Sequence, residues 1–391
     1  MMQSVRTSAA GNLESALLCS QTHVDSVTAK QIVTLAAAEL DWDAILSAAS
    51  EHSLLPIFCR NIEEYGGEAL CSSLRRRFSE EFLRNSCRNL ALTAELFQVL
   101  EALESRGVCA TPYKGPVLAA QAYGDAAMRQ FSDLDIIVPQ RQIVAAHDAL
   151  LALGFRPVIS GVEPQAGGQQ VPGQYAYRSD AETLVELHTE LTLRYFPSRL
   201  DLAELVERRE RVQIAGRRVL TFSLEDTLLL LCVHGSKHFW ERLGWIADIA
   251  ALSRASRPLD WATVMERAGK WGIRRMVLLG TGLAERLFQT PLPNEVTDYL
   301  RTDTTARRLI DGICRRIFAA KPAELGVFSR FAFRVRMRGP LAQGLAYAVR
   351  LALMPTEFDR GGHARYLEPV YALLRPLRLA RTYGWRTRSG D

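Results

Sequence analysis

The chain has 391 residues, of which 48% are hydrophobic and 23% are charged, a composition ordinary for a globular protein of two or three domains. Its longest strongly apolar run, residues 228–233, is too short to cross a bilayer, and the first ten residues lack the apolar stretch of a signal peptide, so we expect a cytoplasmic protein with no membrane partner. The seven cysteines are scattered without a Cys-x-x-Cys pair, which argues against a disulfide framework and a structural zinc site.

The positive charge of the chain is concentrated near its end. The net charge is +5, but residues 301–391 carry 18 basic and 7 acidic side chains, which leaves the rest of the chain acidic. A basic C-terminal segment can face nucleic acid, nucleotide phosphates or another acidic partner. The alternative is a helix face whose arginines are solvated.

The N-terminal part of the chain combines a weakly patterned segment with helices. Residues 1–26 are rich in Ser, Thr, Gln and Ala, and we predict that they form a flexible N-terminus. In residues 27–106 apolar side chains recur at helical spacing, most clearly over 92–103. The sequence therefore predicts an N-terminal helical domain over 27–106, with Gly107 ending its last helix.

Residues 107–222 mix strands, hairpins and helices. Single strands are predicted at 108–113, 134–138 and 155–159, helices at 117–123 and 141–153, and a flexible loop at 160–173. Two hairpins are predicted, with strands at 175–178 and 183–187 and at 212–214 and 219–222. This mixture predicts an α+β core rather than a doubly wound sheet.

From residue 223 to the end the pattern is helical again. Ser223, followed by Glu225 and Asp226, is typical of a helix N-terminus. Breaks between helices are predicted at 334–339 and 356–362. We therefore predict a C-terminal helical domain over residues 223–391.

One aspartate, Asp133, directly precedes the predicted strand at 134–138, and a second, Asp135, lies within it. Because side chains alternate faces along a strand, Asp133 and Asp135 project from one face, with Leu134 and Ile136 on the other. Two adjacent carboxylates repel each other unless a positive charge lies between them, and such oxygen sites suit Mg²⁺ or Mn²⁺. The alternative is a strand that begins in a polar turn with both aspartates solvated.

A third carboxylate lies farther along the chain. Glu186, in the predicted strand at 183–187, faces away from Val185 and Leu187. If this strand lies next to the strand at 134–138, Glu186 joins the two aspartates on one face. The three carboxylates would then form a metal site able to support phosphoryl transfer.

Positive and donor groups that suit phosphate precede the aspartates. Lys114 and Gly115 come directly before a predicted helix, whose free backbone N–H groups favour phosphate. Arg129 lies four residues before Asp133 and can reach the same phosphates with its planar guanidinium. We predict that these residues, together with Ser132, bind the nucleotide phosphates.

Two histidines and a lysine lie together on the predicted helix that follows residue 223. His234 and His238 are four residues apart, with Lys237 between them. Three roles stay open: a zinc site that lacks an evident third ligand, a structural hydrogen-bonding role, or binding of nucleotide phosphates or acceptor together with Lys237. In an otherwise apolar stretch, Asp248 is expected to pair with a basic residue such as Lys237 or Arg242 and to brace the cleft.

His188 and the tryptophans are given structural roles. His188 follows Glu186 on the same strand face, and we predict a structural hydrogen-bonded histidine. The tryptophans of the C-terminal helices are predicted to pack in the core. These are Trp240, Trp245, Trp261 and Trp271.

Taken together, the motifs resemble a known superfamily. A strand, a Lys-Gly turn, a helix, an arginine and two acidic motifs follow one another in the order of the nucleotidyltransferases of the DNA polymerase β superfamily. The resemblance is closest to an uncharacterised bacterial nucleotidyltransferase family with a Lys-Gly turn. The segments that carry it are Lys114-Gly115, Tyr123-Gly124, Arg129, Ser132-Asp133-Leu134-Asp135, Val185-Glu186-Leu187-His188, residues 229–238 and 245–250 and, more weakly, 374–379.

The resemblance implies a fold, a reaction and a role for each carboxylate. The fold would be a polymerase β-like core with a mixed sheet, flanked by N-terminal and C-terminal helical regions. Asp133 and Asp135 would bind both catalytic metal ions, Mg²⁺ with Mn²⁺ as the alternative. Glu186 would bind one ion and help to deprotonate or position the acceptor. The reaction would transfer a nucleoside monophosphate from an NTP such as ATP to an acceptor and release pyrophosphate.

One departure from the superfamily pattern leaves other functions open. The usual Gly-Ser nucleotide-binding turn is replaced by Lys114-Gly115-Pro116, in which a charge takes the place of the serine hydroxyl. The alternatives are a nucleotide- or RNA-binding module that lacks catalysis and a phosphotransferase that uses the same site. The acceptor of a nucleotidyltransferase would be a protein, a peptide, a small molecule or RNA.

Overall fold

The structure is a computed structural model that describes residues 8–159, 164, 173–191, 200–319, 325–339 and 344. These residues form fifteen α-helices and seven strands. Most of the predicted loop at 160–173, the predicted break at 356–362 and the weak resemblance at 374–379 lie outside the described residues. No helix of the described ranges is long and apolar enough to cross a membrane.

Helices occur in three groups along the chain. The first group is α1 (Ala9–Cys19), α2 (Ser26–Ala36), α3 (Trp42–Glu51), α4 (Leu55–Gly66) and α5 (Ser72–Ser105). Among the strands lie α6 (Gly115–Tyr123), α7 (Ile143–Ala152) and α8 (Leu202–Glu207). The last group is α9 (Leu224–Lys237), α10 (Leu243–Leu252), α11 (Trp261–Lys270), α12 (Arg274–Phe288), α13 (Asn294–Thr302), α14 (Thr304–Ile317) and α15 (Val327–Arg336).

The strands form one mixed sheet and one separate hairpin. They are β1 (Thr111–Pro112), β2 (Asp133–Ile137), β3 (Arg156–Pro157), β4 (Gln174–Arg178), β5 (Leu184–His188), β6 (Glu210–Ile214) and β7 (Arg217–Thr221). The sheet order is β1-β2-β5-β4-β3, and β2 and β5 are parallel while the other pairs are antiparallel. The hairpin is β6-β7. Both predicted hairpins and the predicted α+β class are confirmed.

The ends of several elements follow from local chemistry. Ser223 caps α9, because its hydroxyl accepts the backbone N–H of Asp226 at 3.2 Å. The strand predicted at 108–113 is reduced to the two residues of β1. The backbone N–H of Cys109 donates instead to the side-chain amide oxygen of Gln142 at 2.9 Å, so this part of the chain does not join the sheet.

Within the N-terminus that is predicted to be flexible, residues Ala9–Cys19 form a packed helix. Leu13, Ala16 and Cys19 are buried, and the Ser8 hydroxyl accepts the N–H of Gly11 at 3.1 Å. The helical pattern is weak because polar or small residues of α1 are buried beside the apolar ones, and these residues are Gly11, Asn12 and Ser15.

Two clusters of buried apolar side chains make up the core. One joins α1–α4 and the start of α5 to helices α9–α15, and the other packs the sheet against the second half of α5, α7 and the β6-β7 hairpin. The N-terminal and C-terminal helical regions therefore share one core cluster. The boundaries at 106/107 and 222/223 stay a prediction.

Candidate functional site

The acidic residues of β2 and β5 lie side by side on one face of the mixed sheet. The parallel register places Asp135 opposite Glu186 and Asp133 opposite Leu184. Leu134 and Ile136 point to the other face, where they are buried in the sheet cluster. The expected neighbourhood of the two strands is thus observed, and it brings the aspartates and Glu186 to one face.

His188 belongs to the same acidic group. Its Nε2 atom lies 2.9 Å from Asp135 Oδ1 and 3.4 Å from Glu186 Oε2. Burial lowers the pKa of His188, but hydrogen bonds to Asp135 and Glu186 raise it more, so the net pKa lies above its ordinary value. From the sequence, His188 was predicted only as a hydrogen-bonded structural histidine. The signal for a second role was its spacing of two residues from Glu186, which places both side chains on one face.

Asp135 is held by two cationic or proton-donating neighbours at the same oxygen. Lys114 Nζ lies 3.1 Å from Oδ1, and the two side chains are 15% and 2% exposed. Burial raises the pKa of Asp135, whereas Lys114 and His188 lower it more strongly, so the carboxylate is ionised in the folded protein. Lys114 is thus directed at the acidic group rather than at open solvent.

Gly115 allows the chain to pass close to the acidic strand. Its φ angle is +52°, and a Cβ atom here would lie 3.2 Å from the backbone oxygen of Asp133. Glycine adopts this left-handed conformation without steric cost. The next residue, Pro116, suits the first turn of a helix, and α6 begins at Gly115, two residues earlier than predicted.

The donor atoms of this group fit a divalent cation. One ligand atom from each of Asp135, Glu186 and His188 lies within 4.8 Å of the other two. Ligands about 2.1 Å from one ion are separated from each other by about 3.0 to 3.4 Å, close to the distances that His188 makes. Burial, followed by the charge of Asp135, raises the pKa of Asp133, which indicates negative charge that nearby cations do not fully balance. Asp133 is therefore an additional candidate ligand.

Arg129 and Asp248 form a buried ion pair at the wall of the site. Arg129 Nε and Nη2 each donate to Asp248 at 3.0 Å, and the Tyr123 hydroxyl donates to the same carboxylate at 3.0 Å. The predicted pairing of Asp248 with a basic residue is therefore confirmed, but the partner is Arg129 rather than Lys237 or Arg242. Arg242 is the N-cap residue of α10, and its guanidinium lies over the ring of Trp245 instead. A phosphate role for Arg129 stays a prediction.

His234 and His238 lie against each other and against Trp245. Their ring centroids are 4.7 Å apart, and they lie 5.2 Å and 5.5 Å from the Trp245 ring. Burial lowers the pKa of His234 well below its ordinary value and the pKa of His238 to about 4, so both rings are neutral near pH 7. Within the described part of the chain, the single group of three potential metal ligands is that of Asp135, Glu186 and His188, so neither histidine has a third zinc ligand.

Burial of the tryptophans differs from one to another. Trp240 and Trp271 are fully buried, as predicted, whereas Trp245 and Trp261 are only partly buried. Trp245 faces the cleft beside the two histidines. The tryptophan prediction holds for Trp240 and Trp271, and Trp245 and Trp261 also pack against the core cluster while they remain partly exposed.

A cleft of about 470 Å³ lies in front of the acidic strand. It is lined by most of the predicted site residues, namely Lys114, Arg129, Ser132, Asp133, Asp135, His234 and His238. Trp245 and Asp248 of α10 complete the opposite wall. Glu186 and Lys237 do not line this cleft, but each lies next to a residue that does, since Glu186 is opposite Asp135 in the sheet and Lys237 directly precedes His238. The cleft thus combines carboxylates with basic and aromatic groups.

Similarity to known proteins is found among solved structures and in one family model. Among solved structures, the antibiotic-resistance factor ANT(2'')-Ia is similar at 15% identity, with a TM-score of 0.28, over 56% of this chain and 96% of its own. An antigenic nucleotidyltransferase-like protein from Paracoccidioides brasiliensis is similar at 16% identity, with a TM-score of 0.29, over 50% of this chain and 92% of its own. No curated protein matches the chain. The model of a family described as uncharacterised nucleotidyltransferase matches residues 38–289, more than half of the chain, and the protein therefore belongs to this nucleotidyltransferase family.

Proposed function

We propose that the protein is an Mg²⁺-dependent nucleotidyltransferase that transfers a nucleoside monophosphate from an NTP, such as ATP, to an acceptor hydroxyl or phosphate. The observation that carries the proposal is the parallel pairing of β2 and β5, which places Asp135 opposite Glu186 and beside Asp133. Family membership supports the reaction class. Binding alone does not require three carboxylates on one face of the sheet.

Each residue of the site has a part in this reaction. Asp133, Asp135 and Glu186 would hold the metal ions, and His188 is placed to add a nitrogen ligand. A bound Mg²⁺ would polarise the phosphate oxygens and stabilise the negative charge that develops on them. The ammonium of Lys114 and the backbone N–H of Gly115 at the start of α6 would bind the triphosphate, since Pro116 has no N–H and that of Val117 already donates to the Lys114 carbonyl. Ser132 at the rim of the cleft would assist them.

The bond changes in the proposed reaction are those of a phosphoryl substitution. The acceptor oxygen forms a bond to the α-phosphorus, and the bond between that phosphorus and the bridging oxygen to the β-phosphate breaks. Pyrophosphate leaves with the electron pair. Glu186 takes the proton of an acceptor hydroxyl, because it lies in the acidic group opposite Asp135. The acceptor would enter between the sheet and helices α9 and α10, near Lys237, His234 and His238.

Label transfer tests the proposal directly. Purified protein is incubated with cell lysate, Mg²⁺ and each α-³²P-NTP. Asp133→Asn and Asp135→Asn are expected to lower label transfer on the order of 10³-fold, since each removes a metal-binding charge. Asp180→Ala is the matched control, because Asp180 lies exposed in the turn between β4 and β5. Equal labelling by the wild type and both strand variants would refute the proposal.

The same experiment separates the other functions. Label from γ-³²P-ATP but not from α-³²P-ATP would identify a phosphotransferase. NTP or RNA binding that falls steeply with salt but is indifferent to both aspartate substitutions would identify a binding module. The sensitivity of a labelled product to nuclease or protease names the class of acceptor, which is RNA, protein, peptide or a small molecule.

A further inference from the structure

Lys114 occupies a position next to the acidic group that a bound cation would also need. Its Nζ atom lies 3.1 Å from Asp135 Oδ1, the oxygen that His188 Nε2 approaches to 2.9 Å. The Tyr113 hydroxyl is 3.5 Å from the same atom. One carboxylate oxygen is thus already contacted by an ammonium group, an imidazole and a phenol.

A dication and this ammonium group exclude each other. Two positive groups at hydrogen-bond distance from one carboxylate oxygen lie only a few ångströms apart, and their repulsion is strong where water is scarce. The Lys114 and Asp135 side chains are 15% and 2% exposed, so solvent screens this pair poorly. A metal ion can bind Asp135 with full affinity only after Lys114 moves away.

The surroundings of Lys114 offer a place to which it can move. Lys114 is the N-cap residue of α6, the backbone N–H of Gly115 follows it at the start of the helix, and Lys114 lines the same cleft as Ser132 and Arg129. A triphosphate bound at this helix end would attract the ammonium group with its several negative oxygens. The side chain is long and flexible enough to exchange one carboxylate partner for a phosphate partner.

We propose that Lys114 keeps the metal site closed until a nucleotide triphosphate draws its ammonium group away from Asp135. This inference rests on the proposed function and adds its order of binding. Metal ions bind weakly to the free protein, and they bind strongly only together with the nucleotide. Lys114 is therefore a positioning residue that couples metal binding to nucleotide binding.

Binding of Mn²⁺ alone tests the inference without any nucleotide. Free Mn²⁺ is measured by electron paramagnetic resonance while it is titrated into wild-type protein and variants. Lys114→Met and Lys114→Gln are expected to bind Mn²⁺ at least about tenfold more tightly than the wild type, because both remove the competing charge. Lys114→Gln keeps a hydrogen-bond donor near Asp135 and so protects the fold if Lys114→Met is unstable.

Two further variants separate the ion pair from a general charge effect. Lys114→Arg keeps the positive charge and should bind Mn²⁺ as weakly as the wild type. Lys237→Met removes a nearby positive charge that makes no hydrogen bond with Asp135, so it should raise Mn²⁺ affinity much less than the Lys114 variants. Circular dichroism confirms that each variant is folded.

Unchanged Mn²⁺ affinity in both uncharged Lys114 variants would overturn the inference. An equal gain in Lys237→Met would also overturn it, since the effect would then be general electrostatics. Neither result bears on label transfer, which is measured separately with α-³²P-NTP. A protein that behaves as expected with Mn²⁺ but transfers no label would instead refute the proposed function.

Discussion

Single residues of the site differ in whether their charge is balanced. Asp248 is balanced by Arg129 and by the Tyr123 hydroxyl, whereas Asp133 retains a pKa raised by burial and by the neighbouring Asp135. The balanced Asp248 fixes the wall of the cleft. Asp133 instead lacks a fully compensating positive charge, and a substrate-bound cation can supply it.

Removal of one partner from the Arg129–Asp248 pair should destabilise the whole protein. The two side chains are 13% and 3% exposed, and Arg129→Met leaves the carboxylate buried without its partner. We expect the free energy of unfolding in urea to fall by about 3 to 5 kcal/mol. The matched control is Arg178→Met, which breaks an ion pair whose side chains are 45% and 78% exposed and should cost less than about 1 kcal/mol. Equal losses in both variants would contradict this prediction.

At this scale the sequence identified the carboxylates but not all of their partners. The spacing of two residues along a strand was enough to place Asp133 and Asp135 on one face. Contacts between distant residues left no such pattern, because Arg129 and Asp248 are separated by 119 positions. Nothing in the sequence of α10 indicates which basic residue will lie opposite its aspartate.

At the scale of the element, α9 packs closely on the chain that follows it. A Cβ atom at Gly235 would lie 2.4 Å from the ring of Trp240, which turns back under the helix. Phe239 and Trp240 both have positive φ angles, 58° and 56°, and they make this tight reversal. The absence of a side chain at Gly235 therefore allows the indole to fill the space beside the helix.

The substitution Gly235→Ala should test this packing. The added methyl group must displace a fully buried indole, and overpacking of this kind costs about 1 to 3 kcal/mol, measured as the loss in free energy of unfolding. Gly312→Ala in α14 is the control, since no atom lies within 4 Å of its Cβ position. The control should gain up to about 1 kcal/mol from better helix propensity. A neutral or stabilising Gly235→Ala would show that Trp240 moves freely.

Helices and strands could be predicted from the sequence where a pattern of neighbouring residues determines them. The hairpins and α9 follow from alternation, turn residues and a cap, all of which lie within a few positions. The parallel pairing of β2 and β5 joins Asp135 to Glu186 across 51 residues. From the sequence it was therefore only an assumption that these two strands are neighbours. Helix α1 leaves only a weak pattern in the sequence, because its buried face includes polar residues.

For the whole molecule, buried histidines connect stability to pH. Burial lowers the pKa of His52, of His234 and of His238, the last from 6.5 to about 4. Each ring is neutral in the folded protein but takes up a proton in the unfolded chain below about pH 6.5. Stability is therefore lost as the pH falls from about 6.5 towards 4, and His238 alone contributes at most roughly 3 kcal/mol.

Urea unfolding of the metal-free protein at pH 7 and pH 5 checks this prediction. The wild type should be less stable at pH 5, and His238→Asn should show a smaller difference between the two pH values. His188 acts in the opposite direction, since its raised pKa gives stability that is present below pH 6.5 and lost at higher pH. Equal pH dependence in the wild type and His238→Asn would contradict the assignment to His238.

Helix α5 joins the two core clusters and so restricts their relative movement. With 34 residues it is about 51 Å long, and it contributes Phe78 to one core cluster and Leu96 and Val99 to the other. Because α5 packs in both clusters, the sheet cannot rotate against the N-terminal helices unless this helix bends.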